Sequence, residues 1–458
     1  MVPLYSPGKE LTPVSDGHPP SDCRVSSFVE HIKSERLPLE IREDIAKNSN
    51  FLSYAFTFLN GAVLWGYYCC LSAQNFYQQR FPSVNFPFLT TVACCWPMVI
   101  GHTFQLSFGV DKRFSHKSRV IAGYLVNMLS GACIMVFSAV HFEHPHMGGV
   151  LVLVCFGVIG FANSLSEANF YKLAALFPME TFLNAVQIGT GTAGMLNIST
   201  STLLRLVVGG IHQTNSSSTL AFYLFFGTLL LVSMAAICIY IRVLKLPCVK
   251  YLMDVNEKAT RDHGLDTFSS SAVFRNLLRV ARMIWVPALC QFLCFFLTLM
   301  IFPGFACAGG AILDPNDTAA SWYCSPGVIA SYNFGDFLGR LMCAQAIYKF
   351  FTMKTILAFA LLRFVYIPLL LMGVYTSKLY VFGASPMAPL LYQIGINFTI
   401  GLTNGVLSTV TMGSAPQLVE MKDRDTAGGI MVFVLFFGLS TGATFGYVIG
   451  DSHWFGLS

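Results

Sequence analysis

Charge is what this chain has least of. Asp, Glu, Lys and Arg make up 11% of its 458 residues, beside 54% hydrophobic ones, where a soluble globular protein carries roughly a quarter charged residues. That shortfall excludes a water-soluble fold and implies a polytopic membrane protein. The net charge of +5 is too small for a nucleic-acid footprint. Catalytic signatures are missing as well. No GxxxxGKS/T phosphate loop occurs, which excludes a nucleotide-driven pump, and no HExxH occurs, which excludes the zinc hydrolases that carry it. The 14 cysteines include no CxxC spacing, and most, such as Cys69, Cys70, Cys94, Cys95 and Cys133, sit in apolar runs as small hydrophobes. No metal site and no cofactor are expected. An intramembrane aspartyl protease needs two aspartates, but the Gly335-Asp336 dipeptide has Asn333 where that motif has an earlier glycine. The other carboxylate at membrane depth is Glu167, so no enzyme is expected.

Apolar stretches long enough to cross about 30 Å of hydrocarbon recur at 51–74, 88–110, 119–141, 149–177, 181–211, 219–245, 283–308, 324–348, 354–375, 388–413 and 426–450. Eleven membrane helices are therefore expected, with the termini on opposite sides. Residues 1–50 form a polar tail without a signal-peptide core, so the first span is expected to act as an uncleaved anchor. Of the 28 Lys and Arg, 22 fall on the tail's side of this scheme and only Arg80 and Lys378 on the other. Lys172, Arg205, Arg340 and Arg363 lie within spans. The positive-inside rule then places the N-terminus in the cytosol and the C-terminus outside, as expected for a plasma-membrane protein. Glycosylation sequons agree: Asn215 and Asn316 fall in expected outer loops, while those at Asn197 and Asn397 lie inside spans. Cys307 and Cys324 flank an outer loop, and whether they are bonded is left open.

The polar, basic segment 246–282 divides six spans (51–245) from five (283–458), and is expected to be a cytosolic linker loop between two bundles. Carriers that rock two bundles around a midplane site are divided in this way.

Ser331 to Arg340 reads Ser-Tyr-Asn-Phe-Gly-Asp-Phe-Leu-Gly-Arg, which puts Asp336 and Arg340 on one helical face. A charge near the bilayer centre costs about 2.5–3.5 kcal/mol on insertion scales, so the pair is expected to face protein or a wet cavity that binds a polar solute. With Asn333, Gly335 and Gly339, this constellation resembles the eighth span of the equilibrative nucleoside transporter family. Leu299-Met-Ile-Phe-Pro-Gly304, Leu402-Thr-Asn-Gly-Val406, Thr426-Ala-Gly-Gly-Ile-Met431 and Gly438-Leu-Ser-Thr-Gly442 resemble that family's seventh, tenth and eleventh spans. The resemblance covers nearly everything from residue 51 onward. It implies an all-α, major-facilitator-like fold of 6+5 helices, and a secondary carrier of nucleosides, purine nucleosides first, with nucleobases also in view. It also implies that Asp336 and Arg340 bind ribose hydroxyls, with Asn333 beside them, that Trp65 and Phe302 offer flat faces to the base, and that Arg119 and Asp425 belong to an inner gate. The chemistry is sensible, because a carboxylate accepts two hydroxyl protons while a guanidinium donates in a fixed fork. A helix-locking ion pair is the plainer reading.

Glu167 departs from the family, which usually carries glutamine there in contact with the base. Asn163 shares its helical face. A carboxylate accepts base N–H groups as an amide oxygen does, or carries a proton, so transport is either facilitative or proton-coupled. Lys172 lies about 140° around the helix from Glu167 and is a poor partner within it. With Thr190, also a departure, these residues resemble protozoan members more than animal ones. The alternative substrate is another polar organic solute, such as an organic cation balanced by Glu167. A signalling receptor is disfavoured by the number of spans. The expected partners are a small solute and the bilayer, with no nucleic acid; nothing fixes the oligomeric state.

Overall fold

The structure is a computed structural model and describes residues 37–108, 115–177, 180–264, 270–308, 318–345, 351–374, 387–420 and 423–451. It is all-helical among those residues. The principal helices are α1 (Leu39–Ser72), α2 (Phe86–Phe108), α3 (His116–Ala139), α4 (Pro145–Leu176), α5 (Glu180–Gly209), α6 (Asn215–Val243), α7 (Pro247–Gly264), α8 (Ser270–Met283), α9 (Trp285–Ile301), α10 (Ala330–Gln345), α11 (Met353–Leu362), α12 (Tyr366–Val374), α13 (Met387–Ser414) and α14 (Arg424–Asp451). Their starts are chemically marked. Ser115 accepts a bond from the Ser118 amide, and Thr214 with Ser217, like Thr352 with Thr355, forms a reciprocal capping box.

Six helices are long and apolar enough to cross a membrane by length and hydropathy alone: those at His116–Ala139, His146–Leu176, Asn215–Val243, Trp285–Cys307, Met353–Gly373 and Thr426–Gly450. The count of eleven is not reached on those criteria. The reason is chemical. Helices α1, α2, α5 and α13 carry buried polar groups, among them Asn60, His102, Gln187 and Asn404, which lower their hydropathy where they face the protein interior, and α10 is 16 residues long. Outward faces are apolar, with Val207 and Leu231 74% and 72% exposed, as a lipid-facing surface requires.

Two expectations are corrected locally. Helix α1 begins at Leu39, inside the stretch expected to be a tail, because Ile45 is buried and Asp44 receives the Cys248 amide at 2.9 Å. The segment 246–282 is not a loop among its described residues; it holds α7 and α8, and α7 buries Cys248, Val249 and Leu252. The expected span 354–375 is met at Met353–Gly373, with a 3-10 turn at Arg363–Val365 between α11 and α12. Cys307 and Cys324 form a disulfide.

Helix α1 packs on α5, and α4 packs on α2 and α3; later in the chain α9 packs on α14 and α10 on α13. The last pair interlocks through glycine on both sides. A Cβ added to Gly335 or Gly339 would strike the α13 backbone at Phe398 and Leu402, and one added to Gly401 or Gly405 would strike the α10 backbone at Tyr332 and Asp336. Four-residue spacing puts these glycines in register, and only hydrogen fits between backbones this close. Gly438, Gly442 and Gly446 on α14 meet the α9 backbone at Phe292, Phe296 and Met300 in the same manner. The two groups of helices meet where α14 packs on α2 and α10 on α5.

Candidate functional site

The tight contact of α10 with α13 fixes the surroundings of the charged pair. Asp336 and Arg340 are 3% and 2% exposed. Arg340 Nε donates to Asp336 Oδ2 at 2.8 Å, and a terminal nitrogen donates to Oδ1 at 3.3 Å, a two-point clasp that limits the cost of burying both charges. Asn404 Nδ2 on α13 donates to Asp336 Oδ1 at 2.8 Å. Arg340 also donates to Gln187 Oε1 on α5, so the pair bridges the early and late helices.

Behind it lies a second buried cation. Arg363, 1% exposed, donates to Thr298 Oγ1 at 2.9 Å and to the Cys294 carbonyl at 3.0 Å. Thr298 donates to Asn404 Oδ1 at 3.0 Å. The chain of bonds Arg363, Thr298, Asn404, Asp336, Arg340, Gln187 therefore orients the ion pair from both sides. The 3-10 turn at Arg363 is what brings its guanidinium to α9 and α13.

The pair opens onto a cavity of about 70 Å³ between the two groups of helices. Its polar lining comes from Tyr67, Tyr68, Glu167, Thr190, Asp336, Arg340 and Asn404, and its apolar lining includes Phe295, Phe302, Leu435 and Phe436. Phe302 and Tyr332, both at the cavity, stack with centroids 4.2 Å apart. Pockets that hold drug-sized ligands are about 300–1,000 Å³, so this one is contracted. Outside it, the segment Thr318–Ile329 reaches the early helices: Asn75 and Arg205 donate to the Ser321 carbonyl at 2.8 and 3.1 Å, Ser325 donates to the Ser72 carbonyl at 2.8 Å, and the Arg205 guanidinium stands 4.4 Å over Trp322.

Of the residues singled out in the sequence, Asp336, Arg340, Glu167 and Phe302 come together at the cavity. Asn333, Trp65 and Asn163 are near it but do not line it. Asn333 Nδ2 is bonded to the Ile329 carbonyl at 2.8 Å, the Trp65 indole donates to Thr228 at 3.1 Å, and Asn163 Oδ1 receives Asn127 at 3.0 Å. Arg119 is 5% exposed and donates to Gln105 Oε1 at 3.4 Å. Asp425 lies in the first turn of α14, and its side chain is outside the described residues, as is Asn316. Asn215 is exposed at the start of α6, whereas Asn197 and Asn397 are fully buried. Sequence reasoning missed Tyr68, Tyr332, Phe436, Gln187 and Asn404 as parts of this region. Only Tyr332 and Asn404 carried a signal, since each sits in a segment that resembles the family.

Comparison with known proteins decides the family. The nucleoside transporter family model matches residues 153–450. The chain belongs to this family. It is 23% identical over 401 residues to equilibrative nucleotide transporter 4 of Arabidopsis thaliana, covering 84% of this chain and 91% of that protein. Over 181 residues it is 27% identical to human equilibrative nucleoside transporter 2, covering 38% of this chain and 37% of the relative. Among solved structures, FucP, a major facilitator superfamily transporter in the outward conformation, superposes with a TM-score of 0.56 at 16% identity, covering 87% of this chain and 90% of FucP. The nucleoside transporter NupG superposes with a TM-score of 0.52 at 14% identity, covering 89% of this chain and 94% of NupG. The fold is thus major-facilitator-like.

Proposed function

We propose that this member of the family carries nucleosides across the plasma membrane through the central cavity, with the ribose hydroxyls held by Asp336 and Arg340. The observation that carries this reading is the buried, clasped pair opening onto a cavity with aromatic walls. Each group of the pair has a match in a sugar diol: the carboxylate accepts two hydroxyl protons, and the guanidinium donates to their oxygens. Phe302 and Phe436 supply faces against which a purine or pyrimidine packs, purines gaining more by their larger area. Arg363 and Asn404 act as positioning residues.

Nucleosides fit the cavity better than nucleotides do. The lining holds two carboxylates, Glu167 and Asp336, against the one guanidinium of Arg340, and a phosphate would meet net negative charge. A nucleobase alone would leave the sugar-facing pair without its diol. The contracted volume supports alternating access: the bundles 51–245 and 283–458 part to admit solute and close over it, with Ser321, Trp322 and Ser325 sealing one end. In this scheme eleven spans place the N-terminus in the cytosol, the C-terminus and the glycan sites Asn215 and Asn316 outside, and Arg119 and Asp425 at the inner mouth.

Uptake by proteoliposomes of the purified chain tests the reading. Labelled adenosine or guanosine accumulates to the external concentration, and an organic cation such as tetraethylammonium does not. Uptake of the cation with no uptake of either nucleoside would contradict it and favour a cation site built on Glu167.

A further inference from the structure

Helix α8 exposes a row of large apolar side chains. Phe274 and Leu278, one turn apart, are 62% and 43% exposed. Trp285, just past Ile284 where the helical path is interrupted and α9 begins, is 57% exposed. At about 100° per residue, the buried Val280 and the partly buried Leu277 lie on another side of α8, which packs on α14. A third stripe is basic. Arg275, Arg279 and Arg282 are exposed and fall within about 60° of one another around the helix, beside the apolar row. The helix itself contains no Asp or Glu. Arg279 bonds to the buried Asp423 at 2.7 Å, which fastens α8 next to the start of α14.

Single exposed apolar side chains are ordinary, but a row in helical register beside a stripe of arginines is the composition of a helix that lies in a membrane interface. Two observations choose lipid as the occupant. The first is position. Helix α8 leads directly into the apolar span Trp285–Cys307, so its exposed row meets the bilayer surface where α9 enters, with a tryptophan at the level that its ring prefers. The second is charge complementarity. Arginine lays its aliphatic stem along the acyl boundary and offers a planar fork to phosphate oxygens, and an anionic headgroup supplies both the phosphate and the net negative charge. We propose that α8 is an interfacial helix that binds anionic phospholipid, with Phe274 and Leu278 at the acyl boundary and Arg275 and Arg282 on the headgroup. This site is separate from the central cavity and does not depend on which solute is carried.

The experiment is native mass spectrometry of the purified full chain, titrated with phosphatidylserine or phosphatidylcholine. Wild type is expected to bind phosphatidylserine about tenfold or more tightly, the scale of two basic side chains at an anionic surface. Arg275→Gln/Arg282→Gln is expected to lose that preference. Lys117→Gln/Lys354→Gln, which removes the same charge from exposed positions elsewhere, is expected to keep it. Phe274→Gln/Leu278→Gln, with every arginine in place, is expected to weaken phosphatidylserine binding as well. Equal affinity of the wild type for the two lipids would overturn the proposal without any variant, and so would equal losses in the two charge variants. Glycerophosphoserine, which keeps the headgroup and lacks the acyl chains, is expected not to compete; displacement of the lipid by it would make α8 a site for soluble phosphate instead. Dimers of the wild type in detergent that Phe274→Gln/Leu278→Gln abolishes, with no lipid preference, would assign the face to a second copy of the chain.

Discussion

Asp336→Asn is expected to lose nucleoside uptake by the order of a hundredfold or more, measured per molecule at the membrane. Its partner Arg340 is 2% exposed, and asparagine would leave that guanidinium buried without a counter-charge. Breaking a buried pair from one side costs about 3–5 kcal/mol, and each 1.4 kcal/mol is about tenfold. Part of that cost falls on folding, so amount and activity must be read separately. The double variant Asp336→Asn/Arg340→Gln distinguishes a binding role from a locking role. It removes the stranded charge and is expected to recover folded protein, since a neutral replacement of a buried pair is often tolerated. Uptake is expected to stay lost. Recovery of transport together with folded protein would reduce the pair to a structural clasp.

Gly405→Leu is expected to prevent assembly of the late helices. A Cβ at that position already collides with the Asp336 carbonyl and comes within 2.9 Å of the Arg340 amide, and backbone has nowhere to yield. Overpacking costs typically about 1–3 kcal/mol and sometimes more. Here the displaced element is α10 itself, which would move Asp336 away from Asn404. The measure is monodisperse protein in detergent, by fluorescence-detected size exclusion, together with the melting temperature. Gly395→Leu is the control on the same helix, because a Cβ there meets nothing within 4 Å, and it is expected to behave as wild type. Equal losses from both substitutions would contradict the interlocked geometry.

What was legible in the sequence was whatever broke the rules of the bilayer. Asp336, Arg340 and Glu167 stood out because charge at membrane depth is costly, and all three line the cavity. Arg363 was as visible for the same reason, but its place behind the site depended on a 3-10 turn that interrupts an evenly apolar stretch. Aromatic lining was hidden by abundance: among 41 Phe and 18 Tyr, nothing local separates Tyr68 or Phe436 from a lipid-facing ring. Trp65 shows the converse. Its type suited a stacking face, but a helix presents each side chain to one neighbour, and its indole is taken up by Thr228 on α6. The glycines of α10 and α13 carried a packing signal in their spacing, although only the three-dimensional contact reveals that they pair with each other. Helical structure in 39–50, 247–264 and 270–282 was missed for another reason. These stretches are polar: the start of α1 and α7 pack together through Asp44 and Cys248, and α8 packs on α14, so none of them rests on apolar length.

The central claim is that the acid and base of α10 hold the sugar of a nucleoside in the cavity. The direct measurement compares adenosine with 2′,3′-dideoxyadenosine in proteoliposomes of the wild-type chain, which removes the diol and changes nothing on the base. The dideoxy compound is expected to lose about tenfold or more in kcat/KM, because the buried polar groups are left unpaired. Equal transport of the two compounds would contradict it.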